Sequence, residues 1–295
     1  MSTDITALFC CLDDFCKIYE EWERHKLIDT GRRRRRKGKL CLSEMMLIMV
    51  LFHTSSFKNF KCFYVYGIGQ MYRDYFTEIP SYERFVALQS RLFLPLSILL
   101  HMLLGRAEKT GLYVIDSSGL KVCHNKRIER NRVFKGLAKR GKSTMGWFFG
   151  FKLHVVINDK GELLAIQITP GNVDDRKVLS KMTAGLKGML LADKGYISKK
   201  KFQELWKKGL HMLVGIRKNM KNYLLPLYNK LLMRKRFIVE TVFGVLKRDM
   251  GLEHSRHRSA TNAFVHILSC LVAYCLKQNK PKMTFFQSKT LEAYP

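Results

Sequence analysis

The amino-acid sequence predicts an α/β protein in which an all-α N-terminal region precedes a domain with a mixed five-stranded sheet and helices. In the first hundred residues, apolar side chains recur with the period of a helix. From Gly111, three short runs rich in β-branched and aromatic residues appear, and after about residue 175 two short apolar runs alternate with helical patterns. We therefore predict a helical region at 1–105, an α/β domain at 106–280 and a C-terminal tail at 281–295.

The helical region contains four amphipathic or apolar segments. They are ITALFCCLDDFCKIYEEWE, SEMMLIMVLFH, FKNFKCFYVYG and SYERFVALQSRLFL, with the arginine-rich run Arg32–Lys39 between the first two. None of them alternates between apolar and polar residues as a half-buried strand does. The region is therefore predicted to be a small helical bundle.

The α/β domain begins with three predicted strands, GLYVIDSSG, GWFFGFKLHVVIN and ELLAIQITP, with the turn sequence NDKG between the second and third. Two further strands, GMLLAD and HMLVGIR, alternate with the helices RKVLSKMTAGL and SKKKFQELWKKG. Helices from about Leu232 to Met250 and from Thr261 to Leu276 follow. An antiparallel three-stranded meander extended by two parallel strands is the arrangement of a ribonuclease H-like fold.

The charge of the chain predicts a polyanionic partner. There are 53 lysines and arginines against 24 acidic residues, a formal net charge of +29, and the excess is spread along the whole sequence. Such a distributed positive field favours nucleic acid, here double-stranded DNA, over a membrane surface. The apolar stretches Ala263–Leu276 and Leu92–Leu104 are interrupted or too short to cross a bilayer, so no membrane association is predicted.

The expected location is the cytoplasm. The first residues, Met1 to Leu12, lack the basic start of a signal peptide. The eight cysteines include no CxxC pair, so reduced thiols are expected rather than a disulfide framework or a structural metal site.

Three carboxylates stand out by their positions. Asp116 follows the apolar run of the first predicted strand, and Asp193 follows that of the fourth. If these strands are adjacent and parallel, both carboxylates emerge at the same end of the sheet. Each taken singly is equally well explained as a turn or cap residue.

The third carboxylate, Glu240, is the single acid in the otherwise basic or apolar stretch RKRFIVETVFG. On one continuous helix, Arg236, Glu240 and Lys247 would lie on the same face. An ordinary Arg236–Glu240 salt bridge would explain the glutamate by itself, at a stabilisation of only about 0.5 kcal/mol. Three acids meeting at a basic surface are better explained by two Mg²⁺ ions, with Mn²⁺ expected to substitute, at a phosphoryl-transfer site.

The sequence resembles the DDE transposases of bacterial insertion sequences. The motifs GFKLHVVIN, TPGNVDDR, LADKGYIS, RKNMK, RKRFIVETVFGVLK and EHSRHRS, in this order, resemble the insertion-sequence family numbered nine hundred and eighty-two. The resemblance implies a catalytic and metal-binding triad of Asp116, Asp193 and Glu240. It also implies Mg²⁺-dependent cleavage at the terminal inverted repeats, strand transfer to target DNA and a homodimer in the DNA complex. Met233 stands where the family has a tyrosine.

Basic residues near the acids are candidate DNA contacts. The segment Lys121–Lys142 holds nine lysines and arginines against one glutamate and directly follows the first strand. A solvated loop would also explain such a segment, but its place beside Asp116 favours contact with DNA. Together with the residues beside the third acid, the predicted DNA contacts are Arg236, Lys247, Lys126, Arg127, Arg130, Arg132, Lys139 and Arg140.

Several smaller features are open to more than one interpretation. The helical region is predicted to recognise DNA ends through Arg84, Gln89 and Arg91, although a bundle equally serves dimerisation. Asp174 and Asp175 follow a Pro-Gly turn, so helix capping explains at least one of them. Two other functions fit the whole sequence: a catalytically silent DNA-binding protein derived from a transposase, and a ribonuclease H-like metal-dependent nuclease acting on RNA or hybrid duplexes.

Overall fold

The computed structural model describes residues 4–26, 38–143, 146–215, 226–253 and 257–284. Arg32–Lys37, the RKNMK motif and the tail from residue 285 lie outside these ranges. The chain divides into two compact units. The helical unit comprises Met1–Gly105, Lys121–Gly136 and Val245–Lys277, and the sheet unit comprises Arg106–Leu120, Leu137–Gly244 and Gln278–Pro295. The segment Val245–Lys277, which the sequence places in the α/β domain, thus packs in the helical unit.

The helical unit begins with α1 (Ile5–Lys26) and α2 (Leu42–Thr54). A short α3 (Phe60–Cys62) continues as a π-helix (Phe63–Met71). It is followed by α4 (Tyr82–Leu88) and α5 (Phe93–Arg106). Nearly every residue of α2 is buried, which is typical of a central core helix. Gln89, a predicted base contact, is buried and donates to Met49 Sδ, so the structure does not place it at the surface.

The segment from Tyr82 to Arg106 is long and apolar enough, by length and composition alone, to cross a membrane. A segment of this length was not predicted from the sequence, because Pro95 was expected to break the apolar stretch Leu92–Leu104. Phe85, Leu92 and Leu96 are completely buried within the helical unit. A helix that belongs to a protein core passes the same test of length and composition.

The described residues of the sheet unit form six strands, one more than predicted. They are β1 (Leu112–Cys123), β2 (Lys139–Ser143), β3 (Gly146–Asn158), β4 (Leu163–Pro170), β5 (Gly188–Ala192) and β6 (Leu210–Val214). The order is β2-β3-β1-β5-β6, and β4 pairs with β3 beyond the end of β2. β3 and β4 are antiparallel, whereas β5 is parallel to both β1 and β6. The predicted ribonuclease H-like fold is thereby confirmed.

The additional strand, β2, was missed because its sequence KRGKS contains no apolar side chain. Its partner supplies what the sequence lacks: Lys139 to Ser143 pair in antiparallel register with Gly150 to Gly146. Part of the basic segment that was expected to be a loop is therefore an edge strand. Charged side chains are typical of such strands.

Helices complete the sheet unit: α6 (Asp175–Met182), α7 (Lys199–Lys207), α8 (Leu227–Lys235) and α9 (Ile238–Gly244). The first two contribute to a core with the sheet, in which Ile115, Leu179 and Leu190 are fully buried. A π-helical turn (Val245–Asp249) and the last helix, α10 (Ala260–Leu276), belong to the helical unit.

A buried histidine joins three parts of the helical unit. His53 of α2 is 1% exposed; its Nδ1 lies 2.7 Å from the carbonyl oxygen of Met250, and its Nε2 lies 3.0 Å from Ser269 Oγ. Burial lowers its pKa from 6.5 to about 4. The ring is therefore neutral at physiological pH and donates from Nδ1.

We expect acid to destabilise the protein partly through His53. Between pH 6.5 and about 4 only the unfolded chain binds a proton at this position, so the free energy of unfolding falls with pH. From pH 7.5 to 5.0 the expected loss is about 2 kcal/mol. Urea unfolding at both pH values measures it, and His53→Gln should lose that much less. Equal losses in the parent and His53→Gln would contradict the assignment.

Candidate active site

Two adjacent parallel strands bring the first two acids together. Strands β1 and β5 pair in register up to Ile115 and Ala192, and Asp116 and Asp193 are the residues that directly follow this pair. The predicted parallel adjacency is confirmed. Asp116 does not end its strand, however, because β1 continues to Cys123.

Glu240 lies in the first turn of α9 rather than inside one long helix. The continuous helix expected from Leu232 to Met250 is divided: α8 ends at Lys235, α9 runs from Ile238 to Gly244, and a π-helical turn follows. At the break, the amide of Val239 donates to the carbonyl oxygen of Arg236, three residues back. Glu240 is thereby presented at the start of a new helix, while Val239 and Val242 are buried.

The guanidinium of Arg236 lies between the three carboxylates. Its Nη1 is 3.6 Å from Asp116 Oδ2, and its Nη2 is 3.6 Å from Asp193 Oδ1 and 3.7 Å from Glu240 Oε1. The Arg236 side chain is only 14% exposed, whereas Asp193 and Glu240 are about half exposed. Three acids that are far apart in sequence thus surround one positive charge within the sheet unit.

The environment of Asp116 opposes its ionisation. Burial raises the pKa of Asp116 to about 6, and the negative charges of Asp193 and Glu240 act in the same direction. The Ser117 amide, which donates to Asp116 Oδ1 at 2.8 Å, and the Arg236 charge lower it in part. A carboxylate held close to two others in a partly buried site is stabilised in its ionised form by a bound cation.

The donor chemistry of the three acids fits Mg²⁺. All donors are carboxylate oxygens, which hard divalent cations prefer, and the residues already surround the cationic side chain of Arg236. Within the part of the chain that the structure describes, no three His, Cys, Asp or Glu side chains lie close enough to enclose an ion as they stand. Asp193 and Glu240 are exposed enough to change rotamer around an ion.

The other predicted DNA contacts are distributed over both units. Lys139 and Arg140 lie exposed in β2 of the sheet unit. The remaining predicted contacts belong to the helical unit: Lys126, Arg127, Arg130, Arg132 and Lys247. Lys247 Nζ lies 3.6 Å from Glu253 Oε2. Among the described residues, none of the predicted contacts in Lys126–Arg140 takes part in an ion pair, so these charges are available to phosphates.

A buried charged network near the acids was not assigned a role from the sequence. Asp174 caps α6, as expected for one of the two aspartates. Asp175 instead accepts from Lys152 Nζ at 3.0 Å and lies 3.8 Å from Nδ1 of the fully buried His154. Burial lowers the pKa of His154 to about 4, so the ring is neutral and structural.

Tyr196, three residues after Asp193, is also part of this network. Burial, together with the charges of Asp175 and Asp116, raises the pKa of Tyr196 well above its usual range. Its hydroxyl therefore remains neutral at physiological pH. Sequence reasoning missed the role of Asp175, because an aspartate at the start of a helix looks the same in sequence whether it caps the helix or pairs with a distant lysine.

Comparison with models of protein families identifies one family. A family model described as the transposase DDE domain matches residues 106–260, just over half of the chain. A comparison with curated protein sequences finds no match. The structure is similar to a piggyBac transposase synaptic complex with hairpin DNA, at 11% identity over 92% of this chain and 74% of that chain, with a TM-score of 0.49.

Two other similar structures are a Mos1 strand transfer complex and a Mos1 mariner paired-end complex with Mn. The first is 10% identical over 91% of this chain and 86% of that chain, with a TM-score of 0.29. The second is 12% identical over 92% and 96%, with a TM-score of 0.25. Because the family model covers Asp116, Asp193 and Glu240 and more than half of the sequence, this chain belongs to the transposase DDE domain family.

Proposed function

We propose that this protein is the transposase of a bacterial insertion sequence and catalyses Mg²⁺-dependent cleavage and strand transfer at the ends of its own element. The observation that carries the proposal is the meeting of Asp116, Asp193 and Glu240 around Arg236 in a protein of this family. The ordered motifs further favour the family numbered nine hundred and eighty-two. Met233 in place of the family tyrosine removes one hydroxyl contact but no metal ligand.

The three acids would hold two Mg²⁺ ions, and Mn²⁺ is expected to substitute. Such ions, when bound, supply an activated hydroxyl nucleophile and stabilise the leaving oxygen of a phosphodiester. Asp116 is the most buried of the three and is fixed by the Ser117 amide, so it defines the position of the site. Arg236 offers its planar guanidinium to the same region and is suited to bind a phosphate oxygen there.

The proposed substrate is double-stranded DNA. The net charge of +29 and the exposed cations of Lys126–Arg140 support this polyanion, because phosphate contacts are made mainly by lysine and arginine. Pairing of two element ends further implies a homodimer in the DNA complex. We place the protein in the bacterial cytoplasm with the nucleoid, and we propose that the helical unit contributes to recognition of the ends.

Cleavage and joining of a plasmid that carries the DNA flanking the gene tests the proposal. In the presence of Mg²⁺ the parent should produce cut ends and joined products. Glu240→Gln, which removes one charge but keeps the side-chain shape, should lose about 10³-fold in rate or more. Binding to the same DNA, measured by gel shift, should persist.

Two outcomes would contradict the proposed function. If the parent binds the flanking DNA but neither protein cuts it, a catalytically silent DNA-binding protein is indicated. If the parent cuts RNA or hybrid duplexes in preference to DNA, the protein is a nuclease of the same fold. A matched variant, Glu21→Gln, changes an exposed acid of the helical unit and should leave cleavage of the plasmid near that of the parent.

A further inference from the structure

A cleft of about 440 Å³ lies in the sheet unit and extends to the segment that follows Asp193. It is lined by the end of β2, the start of β3, the turn after β4 and Gly195, which follows Asp193 by two residues. Its lining is predominantly polar and includes Arg140, Lys142, Trp147, Lys152, Asn172 and Asp175. The cleft is therefore suited to a polar ligand.

The inner wall of this cleft is electrically balanced and held in place. Lys152 Nζ lies 3.0 Å from Asp175 Oδ1 and 3.0 Å from the carbonyl oxygen of Val173. Asp174 accepts from the backbone amide and the side chain of Arg176. Because each of these acids has a cationic partner, the inner wall carries little net charge and does not repel a phosphate.

The rim formed by β2 and β3 is different, since its positive charges are not neutralised. Arg140 and Lys142 are exposed, and neither forms an ion pair with another described residue. Lys142 lies directly opposite Trp147 in the β2–β3 pairing, with its Nζ 5.7 Å from the centre of the indole ring. Trp147 is 61% exposed, so the rim presents a large aromatic surface beside two cations.

The strands that form the rim are fixed by close backbone contact. A Cβ atom at Gly141 would lie 2.3 Å from the carbonyl oxygen of Gly171, so β2 is pressed against the turn that follows β4. The positions of Arg140, Lys142 and Trp147 relative to the cleft are therefore defined by the backbone. A preformed arrangement of this kind loses little entropy when it binds a ligand.

We propose that this cleft binds an unpaired nucleotide of the DNA, with the base against Trp147 and the phosphates at Arg140 and Lys142. Sites that bind single strands combine a positively charged groove with aromatic side chains on which bases stack. In a duplex both faces of a base are covered by its neighbours, so Trp147 can stack only on a base that has left the helix. The inference rests on the proposed action on DNA and adds local strand separation beside the scissile phosphate.

Binding to a labelled single-stranded oligonucleotide of ten mixed nucleotides, measured by fluorescence anisotropy in EDTA, tests the proposal. Trp147→Ala should weaken this binding about tenfold or more, whereas Trp147→Phe should keep most of it. Trp206→Ala is the matched control, because Trp206 is equally exposed at 62% in the same unit. It should change the affinity less than about twofold.

Two further measurements separate stacking from general attraction to charge. For a blunt duplex of the same length, Trp147→Ala should bind like the parent. Changing Arg140 and Lys142 together to alanine should reduce the slope of log affinity against log salt by about one to two.

The proposal is overturned if Trp147→Ala and Trp206→Ala weaken single-strand binding equally, or if Trp147→Ala weakens duplex binding as much as single-strand binding. It is also overturned if the parent does not bind the single strand. Cleavage is not needed for any of these readouts. Failure of the nucleotide site is therefore distinguishable from failure of the proposed transposase activity.

Discussion

Replacement of Asp116 by asparagine is expected to abolish DNA cleavage without destabilising the fold. Asparagine keeps the side-chain shape and can still accept from the Ser117 amide, but it removes the charge of the most buried acid of the triad. A loss of one metal ligand should cost about 10³-fold in cleavage rate or more. Plasmid cleavage with Mg²⁺ measures this loss.

The stability of the same variant tests the physical argument. Burial and the neighbouring acids raise the pKa of Asp116 to about 6, so its ionised form destabilises the fold at neutral pH. Without Mg²⁺, Asp116→Asn should therefore unfold with a free energy equal to that of the parent or about 1 kcal/mol higher. Mg²⁺ should raise the melting temperature of the parent much more than that of the variant.

The raised pKa of Asp116 also predicts how metal binding depends on pH. The pKa of Asp116 in the folded protein, about 6, is above the value of 3.8 for the free side chain. As the pH falls, the folded protein therefore protonates Asp116 near pH 6, well before the unfolded chain does. Metal binding requires the ionised form, and the affinity for Mg²⁺ should fall below about pH 6. An Asp116→Asn protein that unfolds far more easily, or that still cleaves, would contradict the role assigned to this acid.

A large effect on stability is expected at Gly188, the first residue of β5. Its φ of +110° is a backbone conformation that other residues rarely adopt, and a Cβ atom there would lie 2.2 Å from the carbonyl oxygen of Gly111. Its amide donates to the carbonyl oxygen of Gly209. Because β5 carries the chain to Asp193, any shift of its first residue also moves the site.

We expect Gly188→Ala to reduce the free energy of unfolding by about 3 kcal/mol or more, measured by urea denaturation. Gly185→Ala is the matched control, since Gly185 also has a positive φ of +72° but its nearest atom is the end of the flexible Lys109 side chain, at 3.8 Å. That variant should lose only about 1 kcal/mol. Equal losses would show that the contact with Gly111 does not constrain β5.

Much of the architecture was predictable because it depends on local pattern. The runs that became β1, β3 and β4 are rich in β-branched and aromatic residues, those that became β5 and β6 are short and apolar, and the helices between them have helical periodicity. β2 has neither property. It is a strand because β3 offers it a partner, and a partner cannot be seen in five residues of sequence.

The candidate site divides in the same way. Apolar runs that end in an acid placed Asp116 and Asp193 on neighbouring strands, and one acid in a basic helical stretch singled out Glu240. The prediction that Glu240 and Lys247 lie on one helix face assumed a single continuous helix. The break after α8 and the π-helical turn after α9 interrupt the helical period, so the spacing of the two residues does not assign them a common face. Helix periodicity assigns faces only where the backbone hydrogen bonds keep one pattern.

By itself, the sequence determined the fold class, the order of the elements, the three acids and the positive charge that predicts DNA. Each of these is carried by residue type, spacing or composition. Only the tertiary structure placed the Arg236 guanidinium between the acids, paired Lys152 with Asp175 and formed a cleft beside Trp147. These features join residues far apart in the chain, and such contacts arise from the packing of whole elements.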